Sequence, residues 1–367
     1  MNPLIRSKII SFCFAAILGG FLLTNLVLPD NDFSYSERRK LMQAPSLTLE
    51  KLAKGTLFQE FDKYVLDQFV LRDTFRSIKA IGSYYVLQQM DNNEIYIVDN
   101  HISKMVFPMN EKAILSAAKK INEVKNLYLV GKKISYSVIP DKNYFLAEQN
   151  GYLSLDYTGM MEILQENITD VKYIDLFDFL SIEDYYYTDI HWRQEELLDA
   201  AEKLMLGMGR DLSISIDQYE AKEFYPFRGS LLGQSALPVE PDTMKYLTNS
   251  VIEDSIVYDY EIKDNSKVYL PEKFEGVDPY DVFLSGAKSL LKITNENADN
   301  DRELILFRDS FGSSIAPLFL LEYSSIILVD LRYMATSILD DYIDFSKEQD
   351  VLFLYNTQLL NSGYLLK

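Results

Sequence analysis

Cysteine is nearly missing from this chain: Cys13 is the only one in 367 residues. It lies within an N-terminal apolar run, so the main body contains no thiol and can form neither a disulfide nor a thiolate zinc site. Histidine is almost as scarce, with His101 and His191 the only two, far apart in sequence. No metal site and no cofactor are expected. Positive charge is short as well, 36 Lys and Arg against 55 Asp and Glu, for a net charge of −19. Nucleic-acid binding needs clustered cations that replace counterions, and this balance is the opposite. A neutral polysaccharide is easier to accommodate than an acidic one. There is no internal repeat and no low-complexity tract.

What is present is an aromatic-rich globular composition, 48% apolar, with 26 Tyr and 21 Phe but one Trp. Arg6 and Lys8 precede an uncharged run, Ile9 to Leu28. At 1.5 Å per residue such a run reaches about 30 Å, the thickness of a hydrocarbon core. The basic flank stays in the cytoplasm, so residues 1–8 read as a cytoplasmic tail, residues 9–28 as a transmembrane signal-anchor, and the bulk of the chain as extracytoplasmic. A cleaved signal peptide is the competing reading. Its apolar core is normally about 7–15 residues and ends at a small-x-small site. The longer run and the Leu26-Val27-Leu28 ending favour an uncleaved anchor at the cell membrane. Both readings export the domain.

Residues 29–95 read as a linker followed by a helical stalk. Between residues 48 and 90, Leu52, Phe58, Phe61, Tyr64, Val65, Phe69 and Phe75 recur at three- and four-residue steps. Asn93 to Val106 alternates around Asp99-Asn100, as a hairpin does. Residues 96–367 read as one α/β domain. Helices are expected at Lys112–Asn126, Met160–Ile168, Gln194–Met208 and Ser314–Tyr323. Strands are expected at Lys133–Ile139, Val171–Leu176, Glu303–Phe307, Ser325–Asp330 and Val351–Tyr355. Apolar strands alternating with helices predict a mainly parallel sheet covered on both faces. Residues 210–285 read as a β-rich insertion.

Two segments carry chemistry. The first contains Asp189-Ile190-His191-Trp192. A neutral imidazole accepts a proton from a hydroxyl near neutral pH, best when a carboxylate holds its other nitrogen. Residues two apart do not meet on a helix, but they project to one side of an extended segment. The plainer reading makes Thr188 or Asp189 a helix cap and stacks His191 on Trp192. The second segment is Glu303-Leu304-Ile305-Leu306-Phe307-Arg308-Asp309-Ser310-Phe311-Gly312. Here an apolar strand enters a tight turn and then a helix, the place where α/β hydrolytic enzymes put a nucleophile. Amides at the start of the next helix can stabilise an oxyanion there. The full G-x-S-x-G elbow is absent, since Arg308 holds the first glycine position. Ser313 and Ser314 read as helix caps, and Ser310 alone follows the strand directly. The plainer reading of Ser310 is a turn serine.

Thr188-Asp189-x-His191-Trp192 followed by Arg308-Asp309-Ser310-Phe311 resembles the alginate O-acetyltransferase-like (DHHW) proteins, an SGNH-type family. Asp67-Gln68-Phe69, Arg228-Gly229-Ser230-Leu231, Pro241-Asp242, the block Asp278 to Gly286 and Val329-Asp330-Leu331-Arg332-Tyr333 resemble other family segments. Two departures stand out: Ile190 replaces the first histidine of the name motif, and Ser285-Gly286-Ala287 stands where many members read Gly-Gly-Asn. The resemblance implies an SGNH-like three-layer α/β/α fold with Ser310 as nucleophile, His191 as base and Asp189 as its orienting acid. It places Gly286, Arg332 and Tyr333 on the rim for substrate or oxyanion contacts. It also implies an O-acetyltransferase acting on a cell-surface or secreted polysaccharide, beside a multi-pass membrane-bound O-acyltransferase that supplies acetyl groups. Residues alone leave two alternatives open: an O-acetylesterase with the same triad, and a non-catalytic polysaccharide-binding or scaffold protein of an export complex.

Overall fold

The structure, a computed structural model, describes residues 3–211 and 213–367, the side chain of Leu365 excepted. The first two residues of the expected cytoplasmic tail and residue 212 of the expected insertion lie outside the described residues. The chain divides into two compact units.

The first runs up to Asn92 and includes Gly233–Pro238. Its leading helix, α1 (Pro3–Val27), carries Arg6 and Lys8 near its start, is uncharged from Ile9 onward and has no buried residue. Phe33–Ser34 pairs with Arg39–Lys40 in a short hairpin within the stretch expected to be a linker. Three helices follow: α2 (Leu49–Lys54), α3 (Thr56–Asp67) and α4 (Arg72–Ile81). Thr48 caps α2 by accepting the Lys51 amide, and Gly55, at φ +73°, ends it and opens α3. A left-handed residue at that junction suits glycine, which has no Cβ to clash.

The second unit comprises residues 93–232 and 239–367. The expected hairpin forms, Ile95–Val98 against His101–Lys104. Three helices matter to the layers: α5 (Glu111–Tyr128), α6 (Tyr157–Asn167) and α7 (Leu198–Gly207). The main sheet has eight strands: β1 (Lys133–Ile139), β2 (Lys172–Tyr173), β3 (Ile256–Asp259), β4 (Asp264–Ser266), β5 (Leu290–Thr294), β6 (Glu303–Arg308), β7 (Ser325–Val329) and β8 (Gln349–Asn356). They lie in the order β4-β3-β5-β7-β6-β8-β1-β2. From β7 to β2 every pairing is parallel, whereas β5, β3 and β4 extend the sheet antiparallel.

The parallel core explains its sequence. All six residues of β6 are buried. Leu304 and Leu306 face α7 and the 314–320 segment, while Ile305 and Phe307 face α5 and α6. A strand covered on both faces needs apolar residues on both, and Leu304 to Phe307 supply them between the charged ends Glu303 and Arg308. The outcome is the expected three-layer α/β/α arrangement.

Two expectations need correction. Residues 256–266 belong to the main sheet rather than to a separate insertion, because β3 pairs with β5. Only Glu220–Phe227 and Asp242–Thr248 form a hairpin of their own. The helix expected at 314–323 begins earlier, as Gly312–Ile315, and tightens to a 3-10 helix over Ala316–Leu321. Pro317 lies at the start of that tighter stretch and has no amide proton to donate.

Candidate active site

The parallel strands bring their carboxyl ends to one edge of the sheet, where open α/β folds place their ligands. Asp141 follows β1, Ser310 follows β6, Asp330 follows β7, and Asn356 closes β8. The turn after β6 is fastened by Asp309, whose buried carboxylate accepts the Phe311 amide at 3.0 Å and the Asn356 amide at 2.7 Å. Burial pushes its carboxyl group upward, and these two donors pull it back. Gly312 allows the chain to close on itself here: a Cβ would lie 2.5 Å from Cβ of Arg308. Ser310 is left half-buried at the tip of the turn.

The second half of the site is a closed loop, residues 185–192. Tyr185 and Trp192 form an antiparallel bridge, and the Tyr186 amide donates to the His191 carbonyl at 3.1 Å. Asp189 does not meet His191 along an extended segment, as the spacing suggested. Its carboxylate accepts the His191 backbone amide at 3.1 Å and lies 2.6 Å from the ring Nδ1. This is an aspartate turn closed on both the main chain and the side chain two residues on. The Ser230 amide donates to the other Asp189 oxygen at 2.6 Å. On the far side of the ring, Nε2 lies 2.8 Å from Ser310 Oγ. Ser310, His191 and Asp189 thus stand in one hydrogen-bonded line. With the ring proton donated from Nδ1 to Asp189, Nε2 accepts from the Ser310 hydroxyl.

Several side chains that sequence reasoning gave no role hold this line. Tyr280 stacks on His191 with centroids 3.8 Å apart and planes 6° from parallel, which sets the tilt of the imidazole. Its hydroxyl donates to Ser314 Oγ at 2.9 Å, and Trp192 Nε1 donates to the same oxygen at 2.8 Å. Ser314 is therefore an acceptor for two aromatic rings and no helix cap. Asp242 receives the Tyr187 and Thr188 amides, each at 2.8 Å, and the Thr188 hydroxyl. Lys142, fully buried, donates from Nζ to the carbonyls of Tyr186, Tyr187 and Asp189 at 2.7, 2.9 and 3.2 Å. Burial pushes this amine down to about 7, against the pull of Asp242 and Asp189. Tyr280, Ser230 and Asp242 all fall in blocks that carry the family resemblance. That was their only signal in the sequence.

The remaining expected residues sit as follows. Arg332 grips Asp330 through Nε at 2.9 Å and Nη2 at 2.5 Å, and its guanidinium lies 5.3 Å from the ring of exposed Tyr333. Gly286 adopts φ +82° and closes against Asp281, whose Oδ1 lies where a Cβ would be, at 2.0 Å. Among the described residues, none of these three hydrogen-bonds to Ser310 or His191. The helix start after Ser310 is not an open anion site. The Phe311, Gly312 and Ser313 amides are engaged by the Asp309 side chain, the Asp309 carbonyl and the Ser310 carbonyl.

His101 is buried in the hairpin, its ring 4.3 Å from that of Tyr187 and tilted 34° to it, two residues before Asp189. Burial, aided by the charges of Lys142 and Arg193, lowers its pKa to about 3. The unfolded chain therefore binds a proton below about 6.5 that the folded chain refuses until about pH 3, so stability is lost as pH falls through that window. The slope is roughly 1.4 kcal/mol per pH unit below 6. His101→Phe keeps an aromatic ring against Tyr187 without the titration. Its melting temperature is expected to fall less than that of the wild type between pH 7 and 5; equal falls would remove His101 as the cause.

No protein-family model matches the sequence, and no curated protein does. Solved structures do. The chain is similar to a DHHW family protein from Eubacterium siraeum at 20% identity, over 75% of this chain and 94% of that one, with a TM-score of 0.60. It is also similar to PatB1 of Bacillus cereus at 18% identity, over 73% and 97% of the two chains, with a TM-score of 0.58. PatB1 is known in addition with a sulfonyl adduct. At these identities the likeness is one of fold. It agrees with the DHHW and alginate O-acetyltransferase-like resemblance of the sequence, and with the SGNH-like α/β/α class expected from it.

Proposed function

We propose that this protein is an extracytoplasmic O-acetyltransferase that places acetyl groups on a cell-surface or secreted polysaccharide through an acyl-serine intermediate. The observation that carries the reading is the line from Ser310 Oγ through the His191 ring to Asp189, at 2.8 and 2.6 Å. As Oγ attacks the donor's carbonyl carbon, His191 Nε2 takes the hydroxyl proton. Asp189 stabilises the imidazolium, which then gives the proton to the departing group. In the second half a sugar hydroxyl loses its proton to Nε2 and attacks the acyl carbon. The ester passes to the sugar and Ser310 is restored.

The acetyl group and the polysaccharide acceptor come from the family resemblance. The exposed ring of Tyr333 and the neighbouring Arg332, on the loop after β7, suit the rim of a saccharide cleft, because aromatic faces and guanidinium donors both contact sugars. Gly286 belongs to the same proposed rim. α1, with Arg6 and Lys8 near its start, is read as a membrane anchor. It would keep the domain beside a membrane-bound O-acyltransferase that delivers acetyl groups.

The test is to supply an activated acetyl ester with and without a neutral oligosaccharide and to measure acetate and acetylated sugar separately. Transfer predicts that acceptor raises acetylated sugar at the expense of acetate. Acetate release that ignores the acceptor would identify an esterase.

A further inference from the structure

The helices α3 and α4 are inside out for a protein surrounded by water. α4 turns its cations inward: Arg72 Nη2 lies 2.6 Å from Glu37, while Arg76 Nη2 lies 3.2 Å from Glu37 and donates to the Gly233 carbonyl at 2.9 Å. Asp67, at the end of α3, is held by Arg39 at 2.6 Å. An apolar stripe faces outward beside the exposed Asp73, Thr74 and Lys79. Leu71, Phe75 and Ile78, spaced i, i+4, i+7, are 59%, 44% and 60% exposed. On α3, Phe58, Phe61 and Val65, spaced i, i+3, i+7, are also exposed. A soluble helix buries its apolar stripe and wets its charges. Here the apolar stripes are exposed while Arg72, Arg76 and Asp67 are drawn into ion pairs, with Asp62, Lys63, Asp73 and Lys79 left in the open, and contiguous exposed apolar faces mark a surface that meets another apolar phase.

The contacts of α1 identify that phase. Phe21 stacks on Phe69 at 5.5 Å and meets Phe75 edge-on at 5.7 Å. Asn25 Oδ1 accepts the Val70 amide at 2.8 Å. The corner between α3 and α4 is therefore fixed to the last two turns of α1, where an outward-running anchor leaves the hydrocarbon. Charge permits close approach there. Residues 30–92 hold nine Lys and Arg and nine Asp and Glu, so the net charge of −19 resides elsewhere in the chain. Anionic headgroups would repel the rest of the chain but not this segment.

We propose that α3 and α4 lie in the interfacial layer of the bilayer that α1 crosses, with Phe58, Phe61, Val65, Leu71, Phe75 and Ile78 set among the lipids as in other amphipathic interfacial helices. This rests on the reading of α1 as an anchor. Docked in this way, the segment is held along the membrane surface rather than hanging from a flexible tether.

Full-length protein carrying Cys13→Ser tests it, with single cysteines at Phe61, Ile78, Lys63 and Ile17 bearing nitroxide labels. The protein is reconstituted in phosphatidylcholine vesicles containing phosphatidylglycerol, and collision with oxygen is compared with collision with a water-soluble nickel chelate. Labels at 61 and 78 are expected to fall between 17 and 63, richer in oxygen and severalfold poorer in nickel contact than 63 but shallower than 17. If 17 itself meets nickel freely, the anchor reading fails and the proposal with it. If 17 is in lipid while 61 and 78 meet nickel as 63 does, the anchor stands and the interfacial docking is overturned. Labels at 61 and 78 shielded from both reagents would point to a protein covering these faces, which also overturns it.

Discussion

Ser310→Ala is expected to remove acyl transfer, by roughly 10⁴- to 10⁶-fold in turnover where a triad acts as a unit, while leaving the melting temperature within about a degree of the wild type. The two halves of that expectation have different origins. In the proposed mechanism activity depends on one oxygen, the Ser310 hydroxyl, which among the described residues is the one hydrogen-bonded to His191 Nε2. Stability does not, because the turn is fastened by Asp309 to the Phe311 and Asn356 amides and the imidazole is held by Asp189 and Tyr280. None of these contacts involves the Ser310 side chain. His191→Ala should lose a similar factor, and the double variant should be hardly worse than either single one, since each change disables the same proton transfer. Multiplicative losses would mean that Ser310 and His191 act separately, which the proposed mechanism does not allow. Covalent labelling by a sulfonyl fluoride offers a readout independent of acceptor. It should occur in the wild type, vanish in Ser310→Ala and slow in His191→Ala. Labelling that persists in Ser310→Ala would place the nucleophile elsewhere.

The parts of this site that could be read from sequence are those set by neighbours along the chain. β6 was legible because a strand buried on both faces carries a continuous apolar run, here Leu304 to Phe307, and the residue at its carboxyl end is placed by the strand itself. Asp189 and His191 were legible as a pair because two residues apart is a short enough reach. The reason expected for their meeting was nevertheless wrong: an aspartate turn brings them together, not an extended segment. What escaped notice was fixed by contacts between distant segments. Tyr280 lies 89 positions from His191, and neither its stacking nor the acceptor role of Ser314 leaves a local pattern. Lys142 has no local mark of a role, yet it is buried and gathers three carbonyls of the 186–189 loop. The antiparallel edge formed by β5, β3 and β4 was missed for a related reason. Ile256-Val257-Tyr258-Asp259 alternates between partly open and buried positions. Such a pattern is compatible with a separate hairpin as well as with a sheet edge, and only the pairing partner distinguishes the two.

Gly229→Ala is expected to lower turnover by about 10²-fold or more, beyond any loss of folded protein. A Cβ at this position would stand 2.2 Å from the Thr188 carbonyl carbon and oxygen and 2.4 Å from the Asp189 nitrogen. Unlike a side-chain tip, these backbone atoms cannot swing aside. Ordinary carbon contacts begin near about 3.5 Å, so one of the two segments must retreat by more than about 1 Å. That retreat strikes the site directly. The Gly229 amide donates to Thr188 Oγ1 at 2.9 Å, and the next amide, Ser230, holds Asp189 Oδ2 at 2.6 Å. Displaced, Asp189 no longer sets the orientation of the imidazole, and Nε2 leaves its place beside Ser310. Overpacking of this kind also costs about 1–3 kcal/mol of stability. A control of equal or greater instability is therefore required. Leu164→Ala, in the fully buried face of α6, removes packing on the side of the sheet formed by α5 and α6, at about 2–5 kcal/mol. The two variants should separate when turnover is expressed per folded molecule: Leu164→Ala close to wild type, Gly229→Ala far below it. If Gly229→Ala also returns to wild-type turnover on that scale, the close approach of residues 188 and 229 serves the fold alone, and Asp189 keeps its orientation without it.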